Sequence, residues 1–111
     1  MIDWSRVEEL LEEIGAEDFG EVVEMFLDEV ETVIVQLEND PDNFSNAEEQ
    51  MHFLKGAALN LGFLSLAQLC QKGETSAASG HTGTVSAAEV RTIFELSRSR
   101  FEKDLPDRLA A

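Results

Sequence analysis

The chain has 111 residues, 43% of them hydrophobic, which is enough for one domain whose core needs neither metal nor disulfide. Eight Lys and Arg against 23 Asp and Glu leave a net charge of −15, and such a chain is repelled by nucleic acid and by anionic membrane surfaces. The single cysteine, Cys70, excludes an internal disulfide, and neither a signal-peptide pattern nor a bilayer-length apolar run is present. One monomeric, cytoplasmic domain over residues 1–111 is therefore expected, with no nucleic-acid or membrane partner.

The predicted elements are all helical. There is no sustained apolar/polar alternation and no Asn-Gly or Asp-Gly turn. A short first helix directs Val7, Leu10, Leu11 and Ile14 inward and ends at Gly15. A long second helix, ending before Pro41, carries the stripe Phe19, Val23, Phe26, Val30, Val33 and Leu37. The third runs from about Asn46 to Leu61 with Ala47, Met51, Leu54, Ala58 and Leu61 inward, and Gly62 closes it in the left-handed conformation. The fourth spans about Leu66 to Ala78, with Leu66, Leu69, Cys70, Gly73 and Ala77 inward. A loop, Ser79-Gly-His-Thr-Gly-Thr, leads to a last helix from about Ala87 to Leu105. Capping boxes are expected at Ser45–Glu48, Ser65–Gln68 and Ser86–Glu89. The predicted fold is all-α, an antiparallel four-helix bundle with a short extra N-terminal helix.

Charge is unevenly placed: no Lys or Arg lies between Arg6 and Lys55, and five of the eight basic residues follow position 90. Most of the acidic half reads as a solvated face. On the third helix, His52 points roughly 140° from the core stripe, toward solvent, at about 100° of rotation per residue. Lys55, Gly56 and Leu59 share its face. A neutral imidazole is a nucleophile able to accept a phosphoryl group. A nearby ammonium offsets charge on the transferring oxygens. Gly56 accepts a helix penalty of about 1 kcal/mol relative to Ala and leaves room for a partner to close on the ring, while Leu59 offers an apolar docking contact. In an antiparallel hairpin turning at Gly62–Phe63, residues whose numbers sum to about 126 lie at one height. This sets Glu74 opposite His52, where its carboxylate can orient the ring and fix the tautomer.

His52-Phe-Leu-Lys55-Gly56-Ala-Ala-Leu-Asn-Leu-Gly62, followed by Cys70 and Glu74, resembles the signature of the histidine-containing phosphotransfer (HPt) family. The resemblance covers the third and fourth helices by motif and the remainder by architecture. It implies that His52 is the phosphoacceptor, Lys55 its electrostatic support, Glu74 the imidazole partner, and Gly56, Leu59 and Gly62 access or docking positions. It further implies response-regulator receiver domains and a sensor histidine kinase as partners, and a phosphocarrier with no ATP site or cofactor of its own, Mg²⁺ belonging to the receiver. The chain departs from the family pattern at Ala57 and Ala58, where many members have Ser or Thr, and at Phe63, where many have Ala; Gly73 beside Glu74 is expected to loosen the fourth helix.

Two other readings are a binding-only adaptor for receiver domains and the phosphorylatable N-terminal module of a larger kinase. The start at Met1 and the absence of a linker after Asp107 favour a free-standing protein. Glu49-Gln-Met-His52 has the spacing of di-iron bundle ligands, but no second copy exists and the pair faces away from the seam, so no metal site is expected. Cys70 reads as a core residue, and His81 receives no role.

Overall fold

Two backbone bends at positive φ, Gly15 at 92° and Gly62 at 76°, divide the N-terminal half of the chain. The computed structural model describes residues 1–39, 44–80 and 85–109, with only the backbone of Phe44, Ser45 and Leu109. Its described residues form α1 (Trp4–Ile14), α2 (Ala16–Asn39), α3 (Phe44–Leu61), α4 (Leu64–Ala78) and α5 (Ala87–Leu109), with no strand. Consecutive helices from α2 to α5 pack side by side, α5 closes on α2, and α1 lies across α2 and α3. Arg91 reaches Glu31 and Glu38 on α2, while Arg98, further along α5, sits in the field of Glu24 and Asp28. The two helices are therefore antiparallel, and the fold is the expected four-helix bundle with an extra N-terminal helix.

The seam of α2 differs from the expected stripe. Phe19, Val23, Val30 and Leu37 are buried, and Leu27 and Ile34 are buried with them. Phe26 and Val33 are only partly buried, packed on the core's edge. Both stripes are apolar, and the helices flanking α2 select the one that lies between them.

The start of α4 is also different. Ser65 lies inside the first turn, and Phe63 occupies the N-cap position without a side-chain hydrogen bond. A tertiary contact replaces the capping box. Phe63 is fully buried, with its ring 5.5 Å from Phe101 and 6.4 Å from Phe94, and the free Leu64 N–H donates to the Met1 carbonyl at 3.0 Å. α3 begins at Phe44, so Ser45 is within that helix, and its side chain lies outside the described residues. The Ser86–Glu89 box forms: Glu89 N–H donates to Ser86 Oγ at 3.1 Å, and Ser86 N–H to Glu89 Oε1 at 3.4 Å.

α5 runs past the expected end at Leu105 and contains Pro106. Pro106 removes one backbone donor from the helix, and side chains hold the last turn. Trp4 stacks on Phe101 at 5.8 Å, with the Arg108 guanidinium 5.2 Å from the indole centroid. The bundle is thus sealed at one end by aromatic rings, and the face of α3 and α4 that carries His52 remains free along its flank.

Candidate functional site

The α3–α4 hairpin positions the site. Gly62 closes α3 with a backbone that L-residues rarely adopt, and the turn is so short that the two helices run antiparallel in fixed register. Positions 52 and 74 fall opposite one another, as do 55 and 71. The His52 side chain is 69% exposed, and its Nδ1 lies 3.0 Å from Glu74 Oε1. Glu74 is shielded, with 20% of its side chain accessible, and its other oxygen is 3.0 Å from Lys55 Nζ.

One carboxylate therefore bridges the imidazole and the ammonium. The Lys55 ammonium first, and the His52 ring second, hold the Glu74 carboxyl below the ordinary glutamate range, against the opposing effect of desolvation. An ionised carboxylate only accepts hydrogen bonds. His52 Nδ1 must then be the N–H donor in this pair, which leaves the lone pair of the neutral ring on Nε2. This arrangement presents a solvent-facing nucleophilic nitrogen whose ring is held from behind by a negative charge.

Lys55 departs from its expected place on the open face. Only 22% of its side chain is accessible, because a three-residue offset turns it about 60° from His52 and onto the flank of α4. There Nζ donates to Gln71 Oε1 at 2.9 Å. Gly56 lies on the open side, and a Cβ built there meets nothing within 4 Å. Leu59 is 49% exposed, and Phe53, beside His52, is exposed as well. Glu48, Glu49, His52, Phe53 and Glu74 line an open depression of about 630 Å³.

Gly62 does not belong with the access residues. It is buried, with its carbonyl accepting from Asp3 N–H at 2.7 Å, and its role is the turn. Gly73 is buried, and a Cβ there would stand 3.0 Å from Met51 Sδ. Its missing side chain lets α4 approach α3 one residue before Glu74. Gln71, Thr75 and Phe53 are not singled out from sequence, and Glu48 is expected there only as part of a capping box. Gln71 was within reach, because the register that pairs His52 with Glu74 also pairs Lys55 with Gln71.

Cys70 is fully buried on the inner face of α4. Burial first, and the Glu74 charge second, push its thiol up to about 12. The native protein is accordingly expected to resist Ellman's reagent at pH 8 and to react fully only once unfolded by denaturant; rapid full labelling in native buffer would contradict this burial. The raised value also fixes a sign. The unfolded thiol ionises from 9.0 upward while the folded one stays protonated, so this group's contribution to stability falls as pH rises through that interval.

Among the described residues, no group of three or more His, Cys, Asp and Glu is placed to hold a metal ion, and no helix is long and apolar enough to cross a membrane. His81 lies outside the described residues. Comparison with protein families matches the Hpt domain to residues 21–110, from early α2 past the end of α5. No curated protein and no solved structure matches the chain.

Proposed function

The chain belongs to the Hpt domain family, whose members carry out histidine phosphotransfer in two-component phosphorelays with receiver domains and histidine kinases, and on that premise we propose that His52 is the acceptor in this protein. The observation that carries the reading is the pairing of ring and carboxylate: His52 Nδ1 lies 3.0 Å from Glu74 Oε1, on a side chain that is 69% exposed.

In the proposed step, the Nε2 lone pair attacks the phosphorus of an aspartyl phosphate on a receiver. The Nε2–P bond forms, the P–O bond to the aspartate breaks, and the aspartate leaves as a carboxylate. The ring gains positive charge as the bond forms, and Glu74, 3.0 Å from Nδ1, offsets it without a proton having to move. Lys55 supplies positive charge beside the transferring oxygens. Onward transfer is the reverse, with the carboxylate of a second receiver attacking phosphorus and Nε2 leaving. A sensor kinase can stand as donor in the first step. The domain acts as a cytoplasmic, monomeric phosphocarrier without an ATP site or cofactor of its own, and Mg²⁺ is held by the receiver. Gly56, Phe53 and Leu59 form the surface on which that partner closes.

The test is transfer from a panel of radiolabelled, phosphorylated receiver domains to the purified chain and to His52→Gln. The expected label is acid-labile, alkali-stable and absent from the variant. Receivers that bind the wild-type chain but leave it unlabelled would reduce it to a docking adaptor.

A further inference from the structure

Lys55 is held by two oxygens of α4, one from a neutral amide and one from a carboxylate. Nζ donates to Gln71 Oε1 at 2.9 Å, whereas Glu74 Oε2, 3.0 Å from the same nitrogen, is buried without an aligned hydrogen-bond donor. Gln71 is itself oriented, since its Nε2 donates to Thr75 Oγ1 at 2.9 Å, one turn along α4. A carboxamide has one donor end and one acceptor end. With the donor end on Thr75, the acceptor end must face Lys55. Positions 71, 74 and 75 share a face of α4, so one helix supplies the brace for both the ring and the ammonium.

We propose that Gln71, oriented by Thr75, is a positioning residue for phosphoryl transfer: it fixes the Lys55 ammonium, which Glu74 also pairs, beside His52 with one N–H left over. The inference rests on the reading of His52 as phosphoacceptor. An ammonium has three N–H donors and no acceptor. Gln71 takes one and Glu74 lies against another, which leaves one for an oxygen of the incoming phosphoryl group. Without the amide, the flexible lysine stem is free to turn its donors onto Glu74 Oε2, the buried oxygen that needs one. The remaining N–H is then no longer aimed at the incoming phosphoryl group. A neutral amide suits this position because it directs the charge without cancelling it.

The test compares Gln71→Leu, Thr75→Val and Thr75→Ser, with Gln71→Leu also made in a Lys55→Met background. In single-turnover transfer from a phosphorylated receiver domain, Gln71→Leu is expected to slow the step about tenfold, with receiver affinity and melting temperature unchanged. Thr75→Val slows it about threefold, Thr75→Ser restores it, and Gln71→Leu has no further effect once Lys55 is Met. Unchanged transfer in Gln71→Leu, or equal slowing in the Lys55→Met background, overturns the proposal. NMR of the Lys55 side-chain ammonium reads the brace independently of transfer: the structure requires a slowly exchanging signal that Gln71→Leu removes. If the wild-type chain accepts no phosphoryl group, the phosphoacceptor reading falls, and an unchanged ammonium signal in Gln71→Leu would dispose of the brace separately.

Discussion

Gly56→Ala is expected to stabilise the fold by about 1 kcal/mol and to slow phosphoryl transfer by about tenfold or more. The two effects have opposite sign because one added Cβ acts both on the folded chain and on the approach of a partner. A Cβ at position 56 meets nothing within 4 Å, so the folded chain gains helix propensity and incurs no clash. The same Cβ stands one turn from His52 on the face where, on the proposed function, a partner's active site closes, and displacement of a reacting group by about 1 Å is enough to reduce transfer a hundredfold. Urea unfolding beside single-turnover transfer would measure both. Greater stability with undiminished transfer would show that Gly56 leaves access to the ring unaffected.

Gly62→Ala should have the largest effect on stability, a loss of about 3 kcal/mol. Its φ of 76° is strained for any residue with a side chain, and an added Cβ would lie 2.6 Å from the Asp3 carbonyl oxygen and 3.1 Å from a methyl of Val7. Neither the backbone carbonyl nor α1 can withdraw without loss of the bonds that tie Asp3 to Gly62 and Leu64 to Met1. The single tryptophan, Trp4, stacks on Phe101 at the same end of the bundle, so its fluorescence reports the transition. A change below about 0.5 kcal/mol, the range of ordinary surface substitutions, would contradict the tight docking of the N-terminus on this turn.

The parts of the molecule legible in sequence are those governed by local rules. Glycine at position 62 and the apolar spacing of α3 and α4 define a tight antiparallel hairpin, and its register places His52 against Glu74. The bundle architecture follows from the same periodicity. The choice between Phe26 and Leu27, or Val33 and Ile34, was not legible, because adjacent apolar residues offer two seams and only the neighbouring helices decide between them. Ser65 had the local chemistry of a cap, but burial of Phe63 among Phe94 and Phe101 moved the helix start ahead of it. The partial burial of Lys55 was missed for a similar reason. A helical wheel places it on the ring's side of α3, but only α4 supplies the Gln71 and Glu74 oxygens that draw it inward.

On the proposed function, the other oxygen of Glu74, Oε1, gives the ring's two nitrogens different tasks, one held and one reactive. The most direct measurement is therefore ¹⁵N–³¹P NMR of the chain labelled with ¹⁵N-histidine and phosphorylated by a receiver domain. The proposed function predicts a single phosphoramidate on Nε2 of His52, with Nδ1 still protonated and hydrogen-bonded to Glu74. Phosphorus on Nδ1, on His81, or on no histidine at all would contradict the account.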